Sequence, residues 1–477
     1  MTDHLLKICL VLFLGLAVMP VRGQEAAGPY KDVRIKKMKM AMQTYTFRKY
    51  TFAEALAKTR ELGIRYVEAY PGQRLSKEMP ANVLFSHTMS DEQIAWVKDE
   101  LAKNSLTLVA YGVVGFDSTE KAMREVFDFA RKMGIQVINT EPAFTDWRPL
   151  ERMVKEYNIK VAIHNHPLPS RFALPTTVLA KVKGLDPRIG SGMDTAHWMR
   201  SGWEPLKAMA LLRGRIVHAH LKDLDLFNDA HQAKDVPFGS GVAKIHDILA
   251  ELTLQDYDGY LSIEHEREDE SSNPSPNIAK GLEYIRSITY FQDYQQLLPR
   301  WDGRYSKHGW NHYGPGHFLL DEKTGELTGQ GGMGLLWYSA RKYRDFILEL
   351  DYKCDEIFTN SGIFLRVPEM VTSDDYIYKS FEIQIDDAGT GIHQTGAAYD
   401  AEAPKTLAFK ETGEWNHYKI SFIGGTITVE LNGVEVVNWR AEPRGKIKSY
   451  APEGYIGLQN HDSRAPIHFK NIFVKEI

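Results

Sequence analysis

The sequence predicts two fold classes in tandem, an α/β barrel of eight parallel strands followed by an all-β sandwich. Three observations carry this. Between Lys39 and Tyr294, eight short apolar runs alternate with amphipathic helical patterns, the order that builds a (β/α)8 barrel over ~250 residues. After the first run stands Thr44-Tyr45-Thr46-Phe47, where a doubly wound nucleotide-binding sheet carries a glycine-rich turn. Beyond Leu298 the helical period disappears, and short alternating runs separated by turn residues replace it.

The barrel strands are expected at Met40–Tyr45, Tyr66–Tyr70, Leu106–Tyr111, Ile135–Glu141, Ile159–His164, Ile189–Asp194, Ile216–Leu221 and Tyr260–Glu264. Asp91–Lys103 reads as a helix between two of them. Ile94, Val97 and Leu101 form one stripe there, behind the N-cap candidate Ser90. Glu120–Met133 repeats the pattern with Met123, Phe127 and Ala130. Sandwich strands are expected at Phe346–Tyr352, Ile363–Val367, Phe381–Ile385, His417–Phe422, Thr426–Leu431, Tyr455–Gln459 and Ile467–Val474. Gly424-Gly425 and Asn432-Gly433 mark hairpin turns among them. The barrel is placed at residues 38–294 and the sandwich at 299–477.

Composition excludes some classes. With 43% apolar and 25% charged residues the chain can fill large cores, and a net charge of -4 without basic blocks leaves no nucleic-acid footprint. Lys7 precedes an apolar run, Ile8 to Met19, that is too short to span a bilayer, and small residues near Gly23 suit a signal peptidase. Residues 1–23 are therefore expected to be a cleaved leader, the mature chain to lack a membrane span, and the protein to be periplasmic or secreted. Removal of the leader takes Cys9 with it and leaves Cys354 alone, so no internal disulfide is expected. Gly329, Gly331 and Gly334 fit G-x-G-x-x-G, but the strand-like Leu335-Leu336-Trp337-Tyr338 follows where a dinucleotide site needs a helix.

Alternate side chains of a barrel strand point inward, and those at its C-terminal end reach the mouth. By that parity Val217, Ala219 and Leu221 face out, while His218 and His220 face in. Glu264 faces in against Leu261 and Ile263, and Glu141 shares the inner face of Val137 and Asn139. Asp194 shares that of Gly190 and Gly192, and Glu68 that of Tyr66 and Tyr70. Four strands thus deliver Glu141, Asp194, His220 and Glu264 to one rim. Three converging carboxylates repel one another, and a divalent cation relieves the repulsion. Oxygen-rich ligation with one imidazole suits Mn2+, Co2+, Mg2+ or Zn2+ in an open site. Each charge taken singly is more simply read as an ordinary rim residue paired with Arg or Lys; the case rests on all four arriving together.

Three strings make the resemblance specific: Met193-Asp194-Thr195-Ala196-His197-Trp198, His218-Ala219-His220-Leu221-Lys222-Asp223 and Ile263-Glu264-His265-Glu266. Over Lys39 to Phe291 the chain resembles the xylose-isomerase-like sugar isomerase/epimerase family. That resemblance implies Glu141, Asp194, His220 and Glu264 as metal ligands and His197 near the substrate. Glu141 or Glu264 is then the candidate base, with His166 and His164 as candidate proton donors. Glu68 and Lys222 are the barrel's candidates for substrate contact.

The sandwich resembles the 3-keto-disaccharide hydrolase family, a concanavalin/glucanase-like jelly roll. The match runs through Asn360–Arg366, Phe381–Asp386, Thr395–Tyr399, Gly413–Asn416 and Gly454–His461. Parity sets Phe381, Ile383 and Ile385 in the core, leaving Glu382, Gln384, Gln459 and Arg366 to line one candidate sugar surface. A solvated polar face is the plain alternative. Both resemblances point to carbonyl sugars as substrate, and together they imply cleavage of 3-keto-glycosides. A sugar isomerase or epimerase with a glycan-anchoring sandwich, and a non-catalytic binding protein, remain as rivals.

Overall fold

The computed structural model describes residues 35–227, 232–301, 304–461 and 463–477. The leader expected over residues 1–23 lies outside them. No described helix is long and apolar enough to cross a membrane.

Eight parallel strands close a barrel: β1 (Lys39–Gln43), β2 (Tyr66–Ala69), β3 (Thr107–Tyr111), β4 (Val137–Thr140), β5 (Lys160–His164), β6 (Ile189–Asp194), β7 (Ile216–Leu221) and β8 (Tyr260–Ile263). Around the closed sheet the order is β1-β8-β7-β6-β5-β4-β3-β2. Helices α1 to α9 cover its outside, from α1 (Phe52–Glu61) to α9 (Ser275–Ile288). Local chemistry sets their starts. Thr51 with Glu54 and Ser90 with Gln93 form reciprocal capping boxes at α1 and at α2 (Asp91–Lys103). Inside, Ala41, Val137, Ala162 and Tyr260 fill the barrel floor. Val217 joins this inner cluster instead of the outer layer expected for it, because the β6–β7 register slips between Ser191 and Gly192. The barrel is narrow at this level: a Cβ added to Gly192 would lie 2.5 Å from Asn139 Oδ1.

Two antiparallel sheets form the second unit. One runs β10 (His317–Leu320), β11 (Leu327–Gln330), β20 (Ile467–Glu476), β13 (Phe346–Cys354), β16 (Asn416–Ile423), β17 (Thr426–Leu431) and β18 (Val434–Arg440). The other runs β9 (Trp310–Tyr313), β12 (Gly334–Tyr338), β19 (Tyr455–Asn460), β14 (Asn360–Val367) and β15 (Phe381–Asp386). Leu348, Tyr352, Ile363, Ile383, Tyr418 and Leu458 are packed in the core of this unit. Gly329 lies in β11 of one sheet and Gly334 in β12 of the other, so the glycine pattern spans a strand-to-strand connection and no helix follows it.

Residues after α9 tie the units together. Gln295–Gln296 pairs with β20, and Phe291 stacks on Phe473 at 4.1 Å. Glu349 of β13 accepts hydrogen bonds from Tyr294 Oη at 2.6 Å and Tyr290 Oη at 3.1 Å. His417 completes the junction, with Nδ1 2.8 Å from Asp351 Oδ1 and Nε2 3.3 Å from Glu349 Oε2. The bonds to Asp351 and then Glu349 push its pKa from 6.5 up to about 9 against burial. A raised pKa means the imidazolium contributes fully below pH 6.5 and its contribution is lost as pH rises through about 9. The thermal midpoint is expected to fall over that window in the native chain and to fall less in His417→Gln. Parallel curves for the two proteins contradict the assignment.

Candidate active site

The lowest inward layer is a buried ion cluster. Glu68 is fully buried; Asn139 Nδ2 donates to its Oε1 at 3.0 Å, while His218 Nε2 and His220 Nε2 lie 2.7 and 2.9 Å from its Oε2. Burial raises the Glu68 pKa, but His220 and His218 outweigh burial and hold it well below the usual carboxylate range. Expected to contact substrate, Glu68 instead fixes the ring of His220 from beneath. A carboxylate on one imidazole nitrogen is the arrangement that orients a metal-ligating histidine.

His220 turns its other nitrogen to the next layer. Its Nδ1 lies 2.9 Å from Glu264 Oε2 and 3.8 Å from Asp194 Oδ2. Register explains the meeting, because Asp194 of β6 and Ser262 of β8 both pair with His220. Asp194 also caps α6 (Thr195–Arg200): Oδ1 accepts the His197 N–H at 2.9 Å, which leaves Oδ2 facing the cluster. Lys222 closes the layer, its Nζ 3.0 Å from Asp194 Oδ2, 2.8 Å from Glu264 Oε2 and 2.6 Å from Glu266 Oε2. Burial alone disfavours the ammonium, but these carboxylates outweigh burial and keep its pKa well above the usual lysine value. Arg200 pairs with Asp235 at 2.6 Å and Glu266 at 3.3 Å.

The donor set fits a divalent cation. Among the described residues, Glu68, Asp194, Asp235, Glu264 and Glu266 face two permanent cations, Lys222 and Arg200. Metal bonds of about 2.0–2.2 Å put neighbouring donors roughly 3 to 4 Å apart, the range spanned by His220, Glu264 and Asp194. His164 supplies a fourth donor. Ligand atoms of His164, Asp194 and His220 lie within 4.8 Å of one another. His164 Nδ1 is buried without a hydrogen-bond partner, whereas Asp194 Oδ2 already faces the Lys222 ammonium at 3.0 Å. An unsatisfied buried polar atom is costly, and a ligand removes the cost.

Glu141, the fourth member of the expected metal set, is not brought to these oxygens. It lies one residue past β4, where His166 N donates to its Oε1 at 3.0 Å, His166 Nδ1 lies 2.8 Å from the same oxygen, and Ser170 Oγ donates to Oε2 at 2.9 Å. Burial lowers the His166 pKa, but Glu141 outweighs it and the net shift is upward. The His166 ring remains partly exposed and stands 4.5 Å from His164 and 5.5 Å from His197. Burial makes both of those rings hard to protonate, His197 with a pKa of about 4. The ion-pair roles of Glu266, Arg200 and Asp235 were missed from sequence; the Glu264-His265-Glu266 string was the one available signal.

A second candidate surface lies on the sandwich. Glu382 and Gln384 of β15, Gln459 of β19 and Trp337 of β12 share the face opposite the core, as the register shows. Trp337 Nε1, Gln384 Oε1 and Gln459 Oε1 are buried without partners. Glu382 pairs with Lys446, and burial keeps its pKa raised despite that cation. Gly362 clears the space, since a Cβ there would lie 2.3 Å from Glu382 Oε1. Arg366 is not with them. A bulge between Phe364 and Val367, with Arg366 at φ +57°, breaks the alternation. Its guanidinium lies over Phe422 at 3.4 Å and donates to the Arg344 carbonyl at 3.0 Å.

Comparisons with known proteins divide at the same place. Residues 56–288 match the profile of the xylose isomerase-like TIM barrel, and residues 296–475 that of the 3-keto-alpha-glucoside-1,2-lyase-like domain. Inosose dehydratase 2 of Bacillus cereus is 26% identical over 178 residues, covering 32% of this chain and 59% of that protein. Inosose dehydratase of Clostridium tetani is 26% identical over 179 residues with the same shares. The chain thus spans 59% of the length of these curated relatives. A solved but uncharacterised protein of Parabacteroides distasonis is 31% identical, with a TM-score of 0.43, covering 53% of this chain and 99% of its own.

Glu68→Gln tests the lowest layer. Removing the anion takes the carboxylate from Nε2 of both His218 and His220, and the expected loss is about 3 kcal/mol. It is read as a lower urea midpoint at unchanged slope. An unmoved midpoint contradicts the ion cluster.

Proposed function

For a chain that belongs over residues 56–288 to the xylose isomerase-like TIM barrel family and over residues 296–475 to the 3-keto-alpha-glucoside-1,2-lyase-like domain family, we propose a carbohydrate-active enzyme that cleaves 3-keto-glycosides by elimination. One observation carries the reading. A partly exposed imidazole, His166, has its Nδ1 fixed on Glu141 at 2.8 Å beside a buried donor cluster short of positive charge. The names of the relatives agree in chemistry: a dehydratase acting on an inosose and a 1,2-lyase acting on a 3-keto-glucoside both describe elimination near a carbonyl.

His164, Asp194, His220 and Glu264 are the residues that would hold a divalent cation. Bound there, such an ion withdraws charge from a ketone oxygen and makes the neighbouring C–H more acidic. The remaining work belongs to side chains. Fixing Nδ1–H on Glu141 leaves His166 Nε2 as the acceptor for the C2 proton. The C2–H electron pair becomes the C1=C2 double bond as C1–O breaks. Nε2 then returns the proton to the departing aglycone oxygen, which leaves an enone sugar and restores the neutral ring. Glu141 stabilises the imidazolium in between. Lys222 and His197, beside Asp194, set the charge that the sugar's oxygens meet. The sandwich face of Trp337, Gln384 and Gln459, beside the Glu382–Lys446 pair, offers unpaired donors and acceptors for hydroxyls. The leader expected over residues 1–23 sends the enzyme to the periplasm or medium in this proposal.

The same proton abstraction without a leaving group at C1 gives isomerisation or epimerisation, and the products separate the readings. Incubation with a 3-keto-glucoside is expected to release aglycone, and His166→Ala and Glu141→Gln to slow the release about a hundredfold or more. Epimers formed from free ketoses, with no aglycone released, contradict the elimination.

A further inference from the structure

We infer that the sandwich face is a second sugar site, working apart from the barrel mouth and taking an uncharged pyranoside of its own. The inference rests on the reading of that face as a sugar surface and deepens it. Chain direction carries the first half. The barrel strands are parallel, so their C-terminal ends, with His220 and Glu264, open together at the mouth. Helix α9 starts beyond that rim at Ser275 and runs back along the barrel, so its last residue, Ile288, stands at the opposite end. There Asp293 pairs with Lys36, three residues before the start of β1. The sandwich is therefore joined to the floor of the barrel, away from the mouth.

Parity in the sandwich carries the second half. On β13, Leu348 and Leu350 lie in the core, so Glu349, which holds Tyr290 and Tyr294, points out of the far side of that sheet. On β20, Ile472 and Val474 lie in the core, and Phe473, paired with Glu349 and stacked on Phe291, points the same way. The barrel thus leans on the outer face of one sheet. Trp337, Glu382, Gln384 and Gln459 lie on the outer face of the other. A tilted barrel strand of five residues, such as β1, and the spacing between packed sheets put more than about 20 Å between the clefts. A glycoside of one or two rings does not touch both.

What the sandwich face offers is neutral. Lys446, the cation bonded into it, is spent on Glu382 and also lies over the Tyr399 ring at 4.0 Å. The unpaired atoms are one donor, Trp337 Nε1, and two amide acceptors, Gln384 Oε1 and Gln459 Oε1. Sugar hydroxyls donate and accept, so one ring can satisfy all three. A carboxylate or sulfate brought to these atoms meets two acceptors and Glu382, so an acidic sugar is disfavoured.

The test uses the full chain. Crystals soaked in methyl glucoside are expected to show a sugar against Trp337, Gln384 and Gln459 that no barrel residue touches. In equilibrium dialysis, Gln384→Ala and the milder Trp337→Phe, each with native circular dichroism, are expected to weaken methyl glucoside binding about tenfold. Methyl glucuronide is expected to bind at least about tenfold more weakly than methyl glucoside. Saturating methyl glucoside is expected to leave aglycone release from a 3-keto-glucoside within about twofold of its rate without it. A sugar found only in the barrel mouth, or binding unchanged in both variants, overturns the inference. So does glucuronide binding as tight as glucoside binding, or aglycone release that methyl glucoside blocks. A chain that binds methyl glucoside as expected yet frees no aglycone sinks the elimination and leaves the second site standing.

Discussion

Charge that cannot reach water governs the barrel. Glu68, Asp194 and Asp235 are essentially inaccessible, Glu264 nearly so and Glu266 partly, and among the described residues only Lys222 and Arg200 oppose them as permanent cations. Each buried carboxylate needs a partner or a proton, and the side chains are arranged in layers that supply partners. The lowest layer uses two imidazoles on Glu68. The next uses Lys222, and the third uses Arg200 on Asp235 and Glu266. What remains is a group of donors around His220 whose chemistry fits a divalent cation.

Parity on β-strands recovered much of this arrangement, because a closed parallel sheet leaves each side chain only two directions. Asp194, His220 and Glu264 meet because register aligns the ends of β6, β7 and β8, and all three are inward positions in the sequence. The reading failed wherever the backbone leaves the regular pleat. Glu141 stands past the end of β4 and follows the loop after β5, not the strand that delivers it. Val217 and Arg366 sit at bulges, where one extra residue exchanges the faces. His164 was visible in sequence as an inward residue, yet its ligand position follows from a β5–β6 clamp in which Asn165 bonds the Asp194 backbone, a contact between strands that periodicity does not encode.

The sandwich follows the same logic with weaker signals. Strands with strict alternation, such as Phe381–Asp386 and Thr426–Leu431, were readable. Trp310–Tyr313, His317–Leu320, Leu327–Gln330 and Val434–Arg440 were not, because glycine, polar pairs or the apolar doublet Val436-Val437 blur the period. Its polar face gains meaning from burial. Polar side chains on an exposed sheet are ordinary, but Trp337, Gln384 and Gln459 are buried with atoms unpaired, which is the condition a bound hydroxyl-rich ligand relieves.

The claim at the centre is that one ion completes the layer between Asp194, His220, Glu264 and His164. Anomalous diffraction from crystals grown with Co2+, recorded across the cobalt edge, tests it most directly. The account predicts one strong peak at roughly 2.0–2.3 Å from a donor atom of each of those four residues, with Glu141 still bonded to His166. A map with no peak there, and the carboxylates of Asp194 and Glu264 closed on Lys222 alone, would contradict it.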